Sequence, residues 1–173
     1  MASRAATDET GTRSDQVASL VARLSELADR LEIGDLVNRY VVALDRADEP
    51  GYDDSWYRTV FTEDVRFAFP IGVHRGVEGF AEFQRAAKAR WARTHHLCGN
   101  EIIELDGDQA RVRAHQVATH LHHGGDAGEP FVVSGYYDAR AVRTTDGWRF
   151  DELAFHVVSA VGRPLPTMAG VAF

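Results

Sequence analysis

A chain of 173 residues, 45% of them hydrophobic, is long enough for one domain with a proper core and short for two. Its formal charge of −7, with arginines scattered among acids, excludes the basic face that nucleic acids require. No run approaches the ~18 apolar residues of a membrane helix and no signal-type apolar stretch opens the chain. A single cysteine, Cys98, forms no internal disulfide, so a cytoplasmic protein without nucleic-acid or membrane partners is expected.

Met1 to Arg13 is small, polar and aperiodic and reads as a disordered leader to a single domain over 14–173. From a cap at Ser14-Asp15, apolar residues recur at helical spacing as Val17, Leu20, Val21, Leu24, Leu27 and Leu31, then Leu36, Val37, Tyr40, Val41 and Leu44. An irregularity near Gly34 predicts two helices or one bent helix, stopped by Pro50-Gly51. Asp54-Ser55 caps a short helix from Trp56 to Phe61, and Val65 to Phe69 alternates as a strand closed by Pro70. Gly76 to Arg90 carries the third helical pattern. The period then switches to two, and stretches 94–105, 109–123, 131–143 and 147–160 read as long strands, with turns at Asp106-Gly107, Gly124-Gly125 and Asp146-Gly147. The tail from Gly162, with Pro164 and Pro166, is irregular and expected to lie over the body.

Helices followed by hairpin-connected strands mean an α+β fold: a curved, cone-shaped antiparallel sheet with helices covering its concave face. A cone that its helices do not fill keeps an apolar hollow with a few polar groups, the usual form of a small-molecule site.

Several phrases in order resemble the SnoaL-like branch of the nuclear transport factor 2-like superfamily. They are Tyr40-Val41-Val42-Ala43-Leu44-Asp45, Val60-Phe61-Thr62-Glu63-Asp64-Val65, Gly76-Val77-Glu78-Gly79-Phe80, Thr94-His95-His96-Leu97, Asp106-Gly107-Asp108-Gln109-Ala110 and Asp146-Gly147-Trp148-Arg149-Phe150. Within it the chain resembles the branch of scytalone dehydratase and its bacterial relatives, including bile-acid dehydratase and hexachlorocyclohexane dehydrochlorinase. In that group an aspartate ending the first helix orients a histidine that removes a proton from carbon, and the resemblance assigns these parts to Asp45 and His96. The residues alone also allow Asp45 to be a helix-end partner of Arg46, and His96 a satisfied core histidine. The resemblance further implies a second pocket histidine, for which either His120 or His122 qualifies. The tyrosines of scytalone dehydratase fall at Leu44 and Phe69, so that donor pair is missing.

Strand phase supplies the rest of the candidates. On the phase of Ala110, Val112 and Ala114, the inward side continues through Gln116, Ala118, His120 and His122, and His120 lies further from the Gly124-Gly125 turn. His120 or a tyrosine is taken as the partner that protonates the departing or carbonyl oxygen. His95 faces away from His96. Tyr40 lies one turn before Leu44, Cys98 shares the face of His96 as lining, and Phe69 is wall. Tyr57, Tyr136 and Asp138 are polar groups able to replace the missing tyrosines. His115, His120, His122 and His123 invite a metal, but alternation splits them between two faces, so neither metal nor cofactor is expected. The function read here is dehydratase-type elimination or isomerisation of a small, mostly apolar, oxygenated molecule. Cyclisation by aldol chemistry and a non-catalytic binding or assembly module are the alternatives, and the resemblance implies a homodimer or higher homo-oligomer paired through the outer sheet face.

Overall fold

A computed structural model describes residues 3–70, 72–124 and 129–166, with side chains from residue 13 onward. The first helix, α1 (Ser3–Arg46), is continuous; it begins well before the cap expected at Ser14-Asp15, inside the stretch that reads as a leader. Nor does it break at Gly34. That glycine instead lets the helix press on the sheet, since a Cβ there would stand 3.1 Å from the Glu101 carboxylate.

From Ile33 onward α1 buries one stripe, Ile33, Leu36, Val37, Tyr40 and Val41, with Leu44 half-buried behind them. Its end is followed by α2 (Asp54–Tyr57), which is shorter than the Trp56–Phe61 expected. The cap is Asp53, whose carboxylate accepts from the Trp56 amide at 3.0 Å. Asp54 instead accepts from the Gly79 and Ala81 amides at 2.7 and 2.8 Å, and so serves the start of α3 (Phe80–Lys88). The chain between them forms a hairpin of β1 (Phe61–Phe69) and β2 (Gly72–Arg75), the second strand being too short to announce itself by alternation.

After α3 the chain runs as a meander of β3 (Arg93–Asp106), β4 (Gln109–Leu121), β5 (Phe131–Thr144) and β6 (Gly147–Val161). Gly107 and Gly147, with φ of 60° and 98°, supply the left-handed residues of the β3–β4 and β5–β6 turns. The six strands lie in the order β2-β1-β6-β5-β4-β3. The sheet is mixed rather than antiparallel throughout, because β1 pairs with β6 in parallel. That strand is reached through helices and not through a hairpin, so its direction is not tied to that of its neighbour.

Register shifts between Gly99 and Ile102, between Ser134 and Gly135, and between Arg140 and Ala141 bend the long strands, and the helices sit on the concave side. At the second of these, a Cβ on Gly135 would collide with the His156 carbonyl oxygen. The main core is aromatic: Tyr57, Phe61, Phe67 and Phe80 are fully buried, and Phe67 stacks on Phe80 with centroids 3.9 Å apart. A smaller cluster of Trp91, Phe131 and Val133 is covered by Leu165, so the start of the tail does lie over the body. The loop around Gly125 and the tail beyond Pro166 lie outside the described residues. No described helix is long and apolar enough to cross a membrane.

Candidate active site

Asp45 is the penultimate residue of α1, and His96 is the fourth residue of β3. The helix end delivers the carboxylate to the strand start, and three donors converge on it. His96 Nδ1 lies 2.7 Å from Asp45 Oδ1, the His96 amide donates to Oδ2 at 2.8 Å, and the Thr94 hydroxyl donates to Oδ1 at 2.7 Å. Burial raises the Asp45 pKa, but the His96 ring, the His96 amide and the Thr94 hydroxyl outweigh it and pull the carboxyl down to about 2. Asp45 is therefore ionised and accepts, which puts a proton on His96 Nδ1 and leaves Nε2 with a lone pair. The His96 and Asp45 side chains are 11% and 23% exposed, so the pair is sheltered yet reachable.

His96 lines a half-open cavity of about 160 Å³ between α1, α3 and the concave sheet face. Its exposed wall is mostly apolar, with Leu44, Phe69, Phe83, Trp91, Phe155 and Val157 among the wall residues, and Lys88 and Arg90 bring charge to the lining. His120 stands edge-on to His96, with ring centroids 5.6 Å apart. His120 Nδ1 is 3.1 Å from the Phe131 carbonyl, which only accepts, so Nδ1 carries the proton and Nε2 is an acceptor. Burial, with the nearby His96 ring, lowers the His120 pKa to about 4 and keeps it neutral at physiological pH. That corrects the acid role assigned to it from sequence: a neutral imidazole with its N–H already engaged has no proton to offer the cavity.

Strand pairing explains which other candidates reach the hollow. Directly paired residues share a face, and Gln116 pairs with Gly135, Ala114 with Tyr137, Ala118 with Val133 and His120 with Phe131. Even positions of β4 and odd positions of β5 therefore face inward. Tyr137 lines the cavity and Tyr136 does not: Tyr136 stacks on His156 and meets Arg113 on the outer face. Asp138 also belongs to that face, paired with Arg113 at 2.7 Å. His122 is turned to the Arg163 carbonyl at 2.8 Å, leaving His120 as the second histidine of the lining. Tyr57 is wholly buried in the aromatic core, outside the lining, and its hydroxyl has no partner among the described residues. Cys98 shares the face of His96 and pairs with Gln116, but it packs against the core rather than the cavity. Burial, with the Glu101 carboxylate, pushes its thiol up to about 11, so it stays protonated and is no nucleophile at neutral pH.

Tyr40, Phe69 and Gln116 do line the cavity, with Leu44 in the same wall. Tyr40 accepts a 3.2 Å bond from Gln84 Nε2, and the Tyr40 and Tyr137 hydroxyls are both pushed up in pKa chiefly by burial. Gln116 is 4% exposed, and its Oε1 has no hydrogen-bond partner among the described residues. Sequence reasoning missed Thr94, Gln84 and Tyr137. Thr94 was within reach of it, standing two residues before His96 on the same strand face. Among the described residues, no group of three or more His, Cys, Asp or Glu side chains is arranged to hold a metal ion.

A family profile described as the SnoaL-like domain matches residues 25–154, which include both members of the pair and all but the last strand end of the cavity. The chain belongs to the SnoaL-like family. Among the relatives of this SnoaL-like protein is the uncharacterized protein Rv2910c of Mycobacterium tuberculosis, 28% identical over 128 residues, which are 73% of this chain and 83% of the relative. The crystal structure of Kfla4162 from Kribbella flavida is 26% identical with a TM-score of 0.70, over 79% of this chain and 95% of that one. Hexachlorocyclohexane dehydrochlorinase LinA-type3 from Novosphingobium barchaimii matches in fold, with a TM-score of 0.70 at 19% identity over 87% and 97% of the two chains.

Proposed function

We propose that this SnoaL-like protein is a lyase or isomerase acting on a small, mostly apolar, oxygenated molecule, with His96 as the base and Asp45 as its orienter. The single observation that carries the reading is the 2.7 Å contact of His96 Nδ1 with Asp45 Oδ1 at the edge of an apolar cavity. Held in this tautomer, His96 Nε2 takes a proton from a carbon beside a carbonyl, and the carboxylate stabilises the imidazolium that forms. In an elimination the C–H electron pair becomes the new double bond as the C–O bond breaks. His96 then returns the proton to the departing oxygen, and water leaves. In an isomerisation the same proton returns to a different carbon. A dehydrochlorinase of the same fold also begins from a C–H bond beside a leaving group, which makes that class of step a natural one for this scaffold.

The polar groups of the cavity speak for the oxygenated part of the substrate. Among the described residues Gln116 Oε1 is an unpaired buried acceptor, and His120 Nε2 is a second acceptor in the same hollow. Both call for O–H donors, so the substrate carries hydroxyl groups and His120 positions one of them rather than protonating it. The test is a panel of one- and two-ring β-hydroxy ketones, with the conjugated enone followed by its ultraviolet absorbance. Turnover of at least one of them is expected, falling by ~10²–10⁴-fold in His96→Gln with circular dichroism unchanged. A rate that His96→Gln leaves untouched overturns the reading.

A further inference from the structure

The first helix carries two apolar stripes, and they point in opposite directions. Taking ~100° of rotation per residue, Leu20, Leu24, Leu27 and Leu31 lie between ~120° and ~180° from Ile33, which is the middle of the stripe that faces the core. The side of this half that continues the core stripe is instead polar or small, with Ser19, Ala22, Glu26 and Asp29. Every residue from 13 to 28 is exposed, and Val17, Leu20, Val21, Leu24, Leu27 and Leu31 are between 55% and 76% exposed. The root of this half is pinned to the body on the polar side: Asp29 accepts from Arg143 at 2.7 and 2.8 Å and from the Trp148 indole at 3.0 Å. The chain's own body thus holds the helix by the face that leaves the leucines outward.

We propose that this seam pairs with the same seam of a second copy of the chain. Val17, Leu20, Leu24, Leu27 and Leu31 are spaced 3, 4, 3 and 4 apart, the a/d repeat by which one helix packs knobs into the holes of another. A flat or irregular partner surface has no need of that repeat. The charge pattern favours a like partner as well. In a chain of formal charge −7, no carboxylate occupies a seam or flanking position between residues 16 and 31; Glu26, Asp29 and Glu32 all lie off it. Two acidic copies therefore meet along the face of α1 where their carboxylates do not oppose. The strip offers on the order of 600 Å² per copy, close to the ~800 Å² that a standard interface takes from each side. Because seam and core stripe are on opposite sides of α1, a two-fold pair leaves each sheet on the outside, clear of the other. This interface is separate from the outer sheet face and does not depend on what the cavity binds.

Light scattering on the full chain tests it, comparing the native protein with Leu24→Glu on the seam and Ser19→Glu on the polar side of the same helix. Leu24→Glu is expected to halve the mass of the assembly and Ser19→Glu to leave it unchanged. The near-ultraviolet circular dichroism of the buried tryptophans shows that the body is intact in both. In a Cys98→Ser background, Leu24→Cys is expected to give a disulfide-linked pair on mild oxidation, and Ser19→Cys none. A mass that Leu24→Glu does not change, or equal cross-linking at 24 and 19, overturns the proposal and points to cover by another protein or to pairing through the sheet alone.

Discussion

The Thr94 hydroxyl and the His96 ring end on the same oxygen of Asp45, each at 2.7 Å. The two donors come from one face of β3, two residues apart, so a single strand both receives the carboxylate and fixes its rotamer. Thr94→Val keeps the shape and removes one donor to a charged acceptor, an interaction worth ~1.5–3 kcal/mol. With fewer donors holding the ionised form, the Asp45 pKa rises from about 2. The expected outcome is about a tenfold loss of kcat/KM with the thermal unfolding midpoint little changed. An unaltered kcat/KM would mean that Thr94 serves only the local packing.

Asp45→Asn tests the orientation of the base more severely. An amide keeps the volume but turns either its N–H₂ toward His96 Nδ1, which reverses the tautomer, or its oxygen, which brings no charge to the imidazolium. Loss of ~10³–10⁴-fold in kcat with a smaller change in KM is expected, by analogy with buried Asp–His pairs elsewhere. The His96 amide also rests on this carboxylate, so thermal unfolding should be measured alongside. Activity within tenfold of the native protein would remove Asp45 from the mechanism.

How far the site could be read from sequence follows from what each part depends on. Asp45 and His96 were nameable because the family resemblance assigned them, the residues alone leaving a helix-end partner and a core histidine as open readings, and the inward phase of β4 followed from its unbroken alternation through Ala110, Val112 and Ala114. The inward phase of β5 depends on its register against β4, which is non-local: the pairing of Gln116 with Gly135 turns Tyr137 inward and Tyr136 outward, the reverse of the sequence assignment. The parallel pairing of β1 with β6 was hidden for the same reason, since the two strands lie far apart in the chain and no turn joins them. The chemical role of His120 was invisible too, since it is set by a main-chain carbonyl at Phe131 on another strand. Helical periodicity saw every leucine of the N-terminal half of α1, but not that their stripe turns away from the body.

Gln116 joins a stability question to a recognition question. Its buried Oε1 has no partner among the described residues, an arrangement that costs the unliganded protein ~1–3 kcal/mol. Gln116→Leu removes that orphan along with the amide beside the Tyr137 hydroxyl, so the two effects oppose each other. Chemical denaturation is expected to place the variant within about 1 kcal/mol of the native protein. Binding should separate the two proteins clearly: a hydroxylated ring compound such as 2-naphthol loses about tenfold in affinity, whereas naphthalene does not. Equal losses for both compounds would show that the side chain shapes the cavity without reading an oxygen.

His120 makes the fold sensitive to mild acid. Its pKa, lowered by burial and by the His96 ring, is about 4 in the folded chain, against ~6.5 for a histidine in the unfolded one. Between those values the unfolded state binds the proton and the folded state does not, so stability rises with pH across this window. The contribution is complete above ~6.5, falls as pH drops through the window, and levels off below about 4, with a span of roughly 3 kcal/mol. Asp45 adds a second loss further down, since a carboxyl held at about 2 contributes above its unfolded value near ~3.9 and loses that as pH falls toward 2. Urea unfolding of the native protein at pH 7.0, 5.5 and 4.5, values chosen to span roughly that window, should therefore show a steady decline. In His120→Phe, which keeps a ring against Trp91 and Phe131 but has nothing to titrate, most of that decline should vanish. If the slope between pH 7.0 and 4.5 is the same in both, about as steep as expected for His120 alone, another group carries the proton and the neutral, acceptor form of His120 is not what the fold is built to hold.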